Sequence, residues 1–154
     1  PRRFTPLFAA AAKRRARPGR IESDYSFPAV AAGAAAIQRA GGTVGIGAHG
    51  ELPGIGYHWE MEAHVMGGMT PAEVLRAATI GGAGTIGRAR EFGSIEAGKY
   101  ADLVILDADP RTDIRNARRI AQVVKNGRLH DGATLDELWP RARPHAAPWF
   151  AEGR

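Results

Sequence analysis

The sequence predicts an α/β fold, and three observations carry that reading. A run of small residues, "AVAAGAAAIQRA" over 29–40, is stopped by Gly41-Gly42 and feeds a short apolar segment, Thr43–Ile46. The stretch Thr70-Pro71-Ala72-Glu73 spells the capped start of a second helix. The later half then alternates the apolar runs "ADLVIL" and "IAQVVK" with turn-forming residues. A helix that passes across two glycines into a buried strand is the αβ step of a parallel α/β architecture. At 154 residues the chain is long enough for one domain with a real core.

Taken in order, residues 1–27 read as an irregular, basic segment broken by prolines. Residues 28–90 hold the helices and the first strand. The helix over Ala29–Ala40 ends at Gly41-Gly42, since glycine accepts the left-handed turn that closes a helix. Thr43–Ile46 is the buried strand. After a Gly/Pro loop, Tyr57–Met66 has helical character. In the next helix, Pro71–Ala78, Thr70 is placed to cap, Pro71 to sit first, and Glu73 to complete the capping box. Thr79–Gly87 is a further short helix loosened by four glycines. The character changes near residues 88–100, where "FGSIEAGK" is a turn-rich crossing. Residues 91–131 are β-rich: Ala101–Leu106 and Ile120–Lys125 are strands, and Asn126-Gly127 is a strong hairpin signal before Arg128-Leu129. Little helix is expected before Leu135, and residues 132–154 form a C-terminal tail.

Composition narrows the function classes. There is no cysteine, which removes disulfides, Cys-ligated zinc and thiol catalysis but assigns no compartment. No run of about 18 apolar residues is present, so no helix spans a membrane. The Ala-rich stretch 29–36 lacks the pattern of a signal peptide. The chain begins at Pro1 rather than Met, so a longer precursor is expected. The net charge is +5, with its densest run at Lys13-Arg14-Arg15-Ala16-Arg17 and Arg20 close behind. Phosphate contacts to nucleic acid are one reading of that run. A solvated arm is the other, and it is preferred because no aromatic residues alternate with the arginines for base stacking.

The loop "TVGIGAHGELPGIGYHWEME", Thr43–Glu62, is dense in glycine and carries two histidines. Its centre, Gly45-Ile46-Gly47-Ala48-His49-Gly50, has the spacing G-x-G-x-x-G. A dinucleotide-binding turn must open directly into a helix so that the pyrophosphate meets the helix N-terminus. Pro53 and further glycines deny that helix. A helical zinc pair needs histidines four apart. His58 and His64 are six apart, about 120° around a helix, and cannot share one ion directly. His58 with Glu62, and Glu60 with His64, share faces and suit local hydrogen bonds. His49 stands just past the end of the strand, where ligands and catalytic groups gather in parallel α/β folds. A structural role for it stays open at this point.

The run "GGMTPAEVLRAATIGGAGTIGRAREFGSIEAGKYADLVILDADP", Gly67–Pro110, resembles the C-terminal part of the amidohydrolase superfamily. Members carry a helix of the type "GLTPxEALRAAT" and then "GxLxxGKxADLVVLDxDP". The ending "VVKNGRLHD", Val123–Asp131, resembles their last strand pair. The resemblance covers roughly residues 28–131, and it is nearest to imidazolonepropionase-like members, particularly those fused to a β-propeller, whose chains end in tails like "LDELWPR".

The resemblance implies a (β/α)8 metal-dependent hydrolase barrel flanked by a small β-sandwich, cleaving C–N bonds in amides or cyclic amides with one or two divalent ions. A whole barrel needs about 250 residues. This chain is therefore expected to hold only the C-terminal portion of the barrel plus strands of the sandwich, and to be inactive alone. The last strand of the family usually ends in "GTD", whose aspartate binds metal and accepts a proton. Gly47-Ala48-His49 aligns there, which makes His49 the catalytic and metal-ligand candidate, with Gly50, Glu51 and His58 near the substrate. Neutral imidazole can bind a metal or accept a proton, but it brings no negative charge. "GAHG" resembles the propeller-fused members, which would make His49 a variant centre rather than a lost one. The implied cofactor is zinc or another divalent metal in the longer protein, with none tightly bound to this chain alone. The implied partners are a small-molecule or peptide-like substrate and the remainder of the catalytic domain. Homo-oligomerisation is left open. Two alternatives stand: a metal-free binding protein of the same family, and a basic nucleic-acid-binding accessory domain.

Overall fold

The computed structural model describes residues 26–48 and 54–147. Helix α1 spans Phe27–Arg39, starting before the expected Ala29 because Pro28 in the first turn gives up no hydrogen bond there. It closes as the glycine pair predicts. The Gly41 amide donates to the Gln38 carbonyl at 3.1 Å and the Gly42 amide to the Ile37 carbonyl at 2.9 Å. Gly41 takes φ +85°, a left-handed value that suits glycine. The small residues of α1 serve close packing: Ala31 and Ala35 are buried against helix α2, Ile55–Met66. Gly67, just past α2, comes so near that a Cβ there would lie 2.4 Å from the Ala31 methyl.

The expected strand Thr43–Ile46 has no ladder here: residues 43–48 pair with no described residue. A strand exists only when a neighbour takes up its N–H and C=O groups. The sheet of this structure is built from residues 103–139 and does not include them. The apolar pattern still has its effect: Ile46 is buried in the core and Val44 packs against it.

Helix α3, Pro71–Arg76, carries the expected capping box. The Thr70 hydroxyl accepts from the Glu73 amide at 3.2 Å, and the Glu73 carboxylate accepts from the Thr70 amide at 2.6 Å. The regular α pattern gives way to a π-helical turn, Ala77–Gly81, before α4, Gly82–Thr85. The two expected helices are therefore one bulged run. Two features accompany the bulge. Thr79 turns its hydroxyl back to the Leu75 carbonyl at 2.7 Å. Gly81 passes against residue 44, where a Cβ would meet the Val44 carbonyl at 2.5 Å.

Lys99 organises the crossing. Its ammonium, on a side chain only 10% exposed, donates to the Ala89 carbonyl at 2.8 Å and reaches the Glu96 carboxylate at 3.1 Å. Beyond it lies a four-stranded antiparallel sheet in sequential order: β1 Leu103–Leu106, β2 Ile120–Lys125, β3 Arg128–Asp131 and β4 Glu137–Trp139. The shared sheet of "ADLVIL" and "IAQVVK" agrees with the sequence. Asn126 at φ 50° and Gly127 at φ 75° make the tight hairpin turn between β2 and β3. Asp102 secures it, accepting from the Asn126 amide at 2.7 Å and pairing with Lys125. No helix follows Leu135 among the described residues; the chain there adds β4 to the sheet.

The core gathers Ala35, Ile46, Met61, Met69, Val74 and Ala77 from the helical half. Ile114 and Ala117, on a 3-10 helix over Ile114–Arg118 between β1 and β2, enter the same cluster. No sheet residue joins it. Leu103, Val124, Leu129 and Trp139 stand in register across the four strands and so share one face. Trp139 is 60% exposed on that face. No described helix is long and apolar enough to cross a membrane.

Candidate functional site

Helix α2 carries most of the described chemistry. Its side chains Tyr57, His58, Glu60, Glu62 and His64 reach in several directions, set by the 3.6-residue turn. Tyr57 donates its hydroxyl to the Ala78 carbonyl in the π-turn at 2.7 Å. Burial, and then the Glu60 carboxylate nearby, raise the Tyr57 phenol above its ordinary value, so it stays a neutral donor.

The expected helix-face pairs are resolved differently. His64 is buried, and its Nδ1–H donates to the backbone carbonyl of Glu60 at 2.8 Å rather than to the Glu60 carboxylate. Glu62 pairs instead with Arg118 of the 3-10 helix. That ion pair ties the helical half to the sheet half.

Among the candidate site residues, His58 is described: it is half-buried near the start of α2. His49, Gly50 and Glu51 lie outside the described residues. The His58 Nδ1 is shut off from water without a hydrogen-bond partner. Burial lowers the His58 imidazole below its ordinary value, Arg118 lowers it further, and Glu62 opposes both. Neutral imidazole is the favoured form in that setting.

The backbone that leads towards His49 is described as far as Ala48. The Gly47 amide donates to the Glu60 carboxylate at 3.3 Å. Gly45 fits under α4, where a Cβ would lie 2.8 Å from the Thr85 hydroxyl and 3.1 Å from the Gly82 Cα. After the G-x-G-x-x-G spacing, the first described helix begins only at Ile55. Arg118 was not singled out by the sequence, and Glu60 was read there only as a helix-face partner of His64. Nothing in the spacing points to Gly47 or Glu62 as their partners, because each lies far along the chain.

Among the described residues, no group of three or more His, Asp or Glu side chains could hold a metal ion. These residues by themselves do not fit a divalent metal.

The sequence model of the amidohydrolase family matches residues 34–130, more than half of the chain. The imidazolonepropionase of Shouchella clausii (strain KSM-K16) is 48% identical over 64 residues, covering 40% of this chain and 14% of that protein. The imidazolonepropionase of Geobacillus sp. (strain WCH70) is 48% identical over 65 residues, covering 40% of this chain and 15% of that protein. The chain thus spans about a seventh of the curated relatives it matches. Among solved structures, a prolidase-like protein from Bifidobacterium longum superposes with a TM-score of 0.59 at 33% identity, covering 75% of this chain and 27% of that one. A Xaa-Pro dipeptidase with methionine bound in its active site gives 0.60 at 26% identity, covering 68% of this chain and 26% of that one.

Proposed function

This chain belongs to the amidohydrolase family, and we propose that it is the C-terminal portion of a (β/α)8 hydrolase barrel with strands of the accompanying sandwich. The longer protein would hydrolyse C–N bonds in amides or cyclic amides. The observation that carries this reading is the family match across residues 34–130, within which 43–48 sits as an apolar segment without a strand partner among the described residues. A barrel strand isolated from both neighbours would look like that, because its ladder partners belong to residues outside the chain.

In this reading His49, just beyond the end of that segment, takes the place of the family's usual aspartate as proton acceptor and metal ligand. Gly50, Glu51 and His58 flank the substrate. Gly50 lets backbone approach closely because it has no Cβ. His58, favoured as neutral imidazole, can offer a hydrogen bond to a substrate without adding charge. Since the described residues do not fit a metal alone, a divalent ion such as zinc would need further ligands from the rest of the protein. A catalytic zinc takes three protein ligands.

The test is direct. The whole protein is assayed, with zinc and after chelation, on imidazolonepropionate, on small cyclic amides and on N-acylated amino acids. Hydrolysis of the C–N bond that is lost on chelation and restored by zinc is the expected result. An absence of turnover on every member of the panel with zinc bound would overturn the reading.

A further inference from the structure

Asparagine is a thermolabile residue, above all when glycine follows it. The glycine amide nitrogen, once deprotonated, can attack the asparagine side-chain carbonyl carbon, and glycine has no Cβ to obstruct the approach. This chain places such a pair, Asn126-Gly127, in the turn between β2 and β3, with Asn126 exposed. The other asparagine, Asn116, precedes alanine, and its side-chain amide is tied to the Asp109 carbonyl at 2.9 Å.

The turn is held by the chain that leads into β1. Leu103 stands opposite Val124, so residues 101 and 102 continue past the end of that ladder and lie against the turn. The Ala101 carbonyl accepts from the Gly127 amide at 3.2 Å. One oxygen of the Asp102 carboxylate accepts from the Asn126 amide at 2.7 Å, and the other pairs with Lys125. Lys125, and then the Asn126 amide, hold the Asp102 carboxyl below its ordinary value, so it is an ionised acceptor at neutral and alkaline pH. The Gly127 N–H is the nucleophile of the ring closure. Losing its proton means giving up the bond to Ala101, and swinging onto the Asn126 side chain means straining the bond to Asp102.

We propose that Asn126 is a deamidation site kept latent by Asp102: residues 101 and 102 clamp the turn, and Asn126 converts when that clamp opens. The Gly127 nitrogen gives its proton to hydroxide, and its electron pair forms the N–C bond to the Asn126 side-chain carbonyl carbon. The bond from that carbon to the side-chain nitrogen breaks, and ammonia leaves with a proton taken from water, which restores the hydroxide. Water then opens one of the two C–N bonds of the resulting succinimide, giving aspartate or isoaspartate. Isoaspartate carries an extra backbone carbon through a two-residue turn. Either product adds a second carboxylate to a turn that already holds Asp102. Every group involved belongs to residues 101–127, so the site stands apart from the hydrolase reading above.

The experiment ages the whole protein in mildly alkaline buffer as wild type, Asp102→Ala and Asp102→Asn, beside a free peptide of residues 120–132. Thermal unfolding of each variant is recorded first. Aspartate and isoaspartate at 126 are then counted by mass spectrometry of the digest, with Asn116 as the internal control. The free peptide and a folded Asp102→Ala should both convert at least about tenfold faster than wild type, the worth of one hydrogen bond to a charged group. Asp102→Asn keeps an oxygen acceptor without the charge and should fall between. Asn116 should stay unconverted throughout. A wild type that converts as fast as the peptide would overturn the proposal, and so would a folded Asp102→Ala that converts no faster than wild type. If Asp102→Ala does not fold, Asp102→Asn decides: faster conversion at 126 with Asn116 unchanged supports the clamp, and the wild-type rate refutes it.

Discussion

Arg118, on the 3-10 helix between β1 and β2, pairs with Glu62 of α2 one turn beyond His58. Three charged or titratable groups therefore meet where the sheet half rests on the helical half. Burial and the Arg118 charge hold His58 below its ordinary 6.5. The unfolded chain consequently binds that proton more readily than the folded one. The His58 contribution to stability is complete above about pH 6.5 and is lost as the pH falls below it, towards the lower folded value. Thermal unfolding between pH 8 and pH 5 should show a steeper acid-side loss in the wild type than in His58→Gln. In Arg118→Met the His58 titration followed by NMR should move upward, since a repelling cation is gone and Glu62 is freed. Identical pH slopes in wild type and His58→Gln would refute the account.

The Thr70–Glu73 capping box should be measurable on its own. Thr70→Ala removes the oxygen that accepts from the Glu73 amide. The expected loss is about 1 kcal/mol, read from denaturant midpoints at constant slope. Hydrogen bonds from Thr70 hold the Glu73 carboxyl below its ordinary value, so part of the benefit should fade in acid as that carboxylate protonates. A loss under about 0.3 kcal/mol would show that α3 is held by the packing of Val74 instead.

How much of this was legible beforehand follows the range of each interaction. The capping box, the glycine stop after α1 and the Asn126-Gly127 turn were all legible, since each is decided within a few residues. The strand at Thr43–Ile46 finds no ladder among the described residues because apolarity reports burial, which Ile46 does have, but not where a ladder partner lies. The π-turn at Ala77–Gly81 was read as a break because it is accompanied by a tertiary fit of Gly81 against residue 44. The partners of Glu60 and Arg118 were invisible for the same reason: Gly47 and Glu62 are distant from them in sequence and become neighbours only after packing. His49, Gly50 and Glu51 rest on resemblance and chemistry alone.

The row Leu103, Val124, Leu129 and Trp139 makes a testable demand on the sheet. Ile105 shares that face, and it and Trp139 are 43% and 60% exposed. If the rest of the whole protein covers this face as a second sandwich layer, Ile105→Lys should act oppositely in two settings. In the isolated chain it should raise solubility and leave the melting temperature within about 2 °C, as surface changes usually do. In the whole protein it should cost about 1–3 kcal/mol, because a charge would be buried at the layer contact. Equal, small effects in both settings would mean that nothing packs there.

His49 carries the last expectation. If it accepts the proton, His49→Ala in the whole protein should lower kcat by about 10²–10⁴-fold, the usual worth of general-base catalysis. His49→Asp restores the residue commoner in the family and should retain more activity than Ala. Because an aspartate titrates near 3.9 and a histidine near 6.5, the acid limb of the rate profile should move to lower pH in the Asp variant. Thermal stability should change little in either, since a histidine serving catalysis rather than packing leaves no structural vacancy. Were His49→Ala to keep its kcat and lose several degrees of melting temperature, His49 would be a structural residue and the proton acceptor would have to be sought elsewhere in the whole protein.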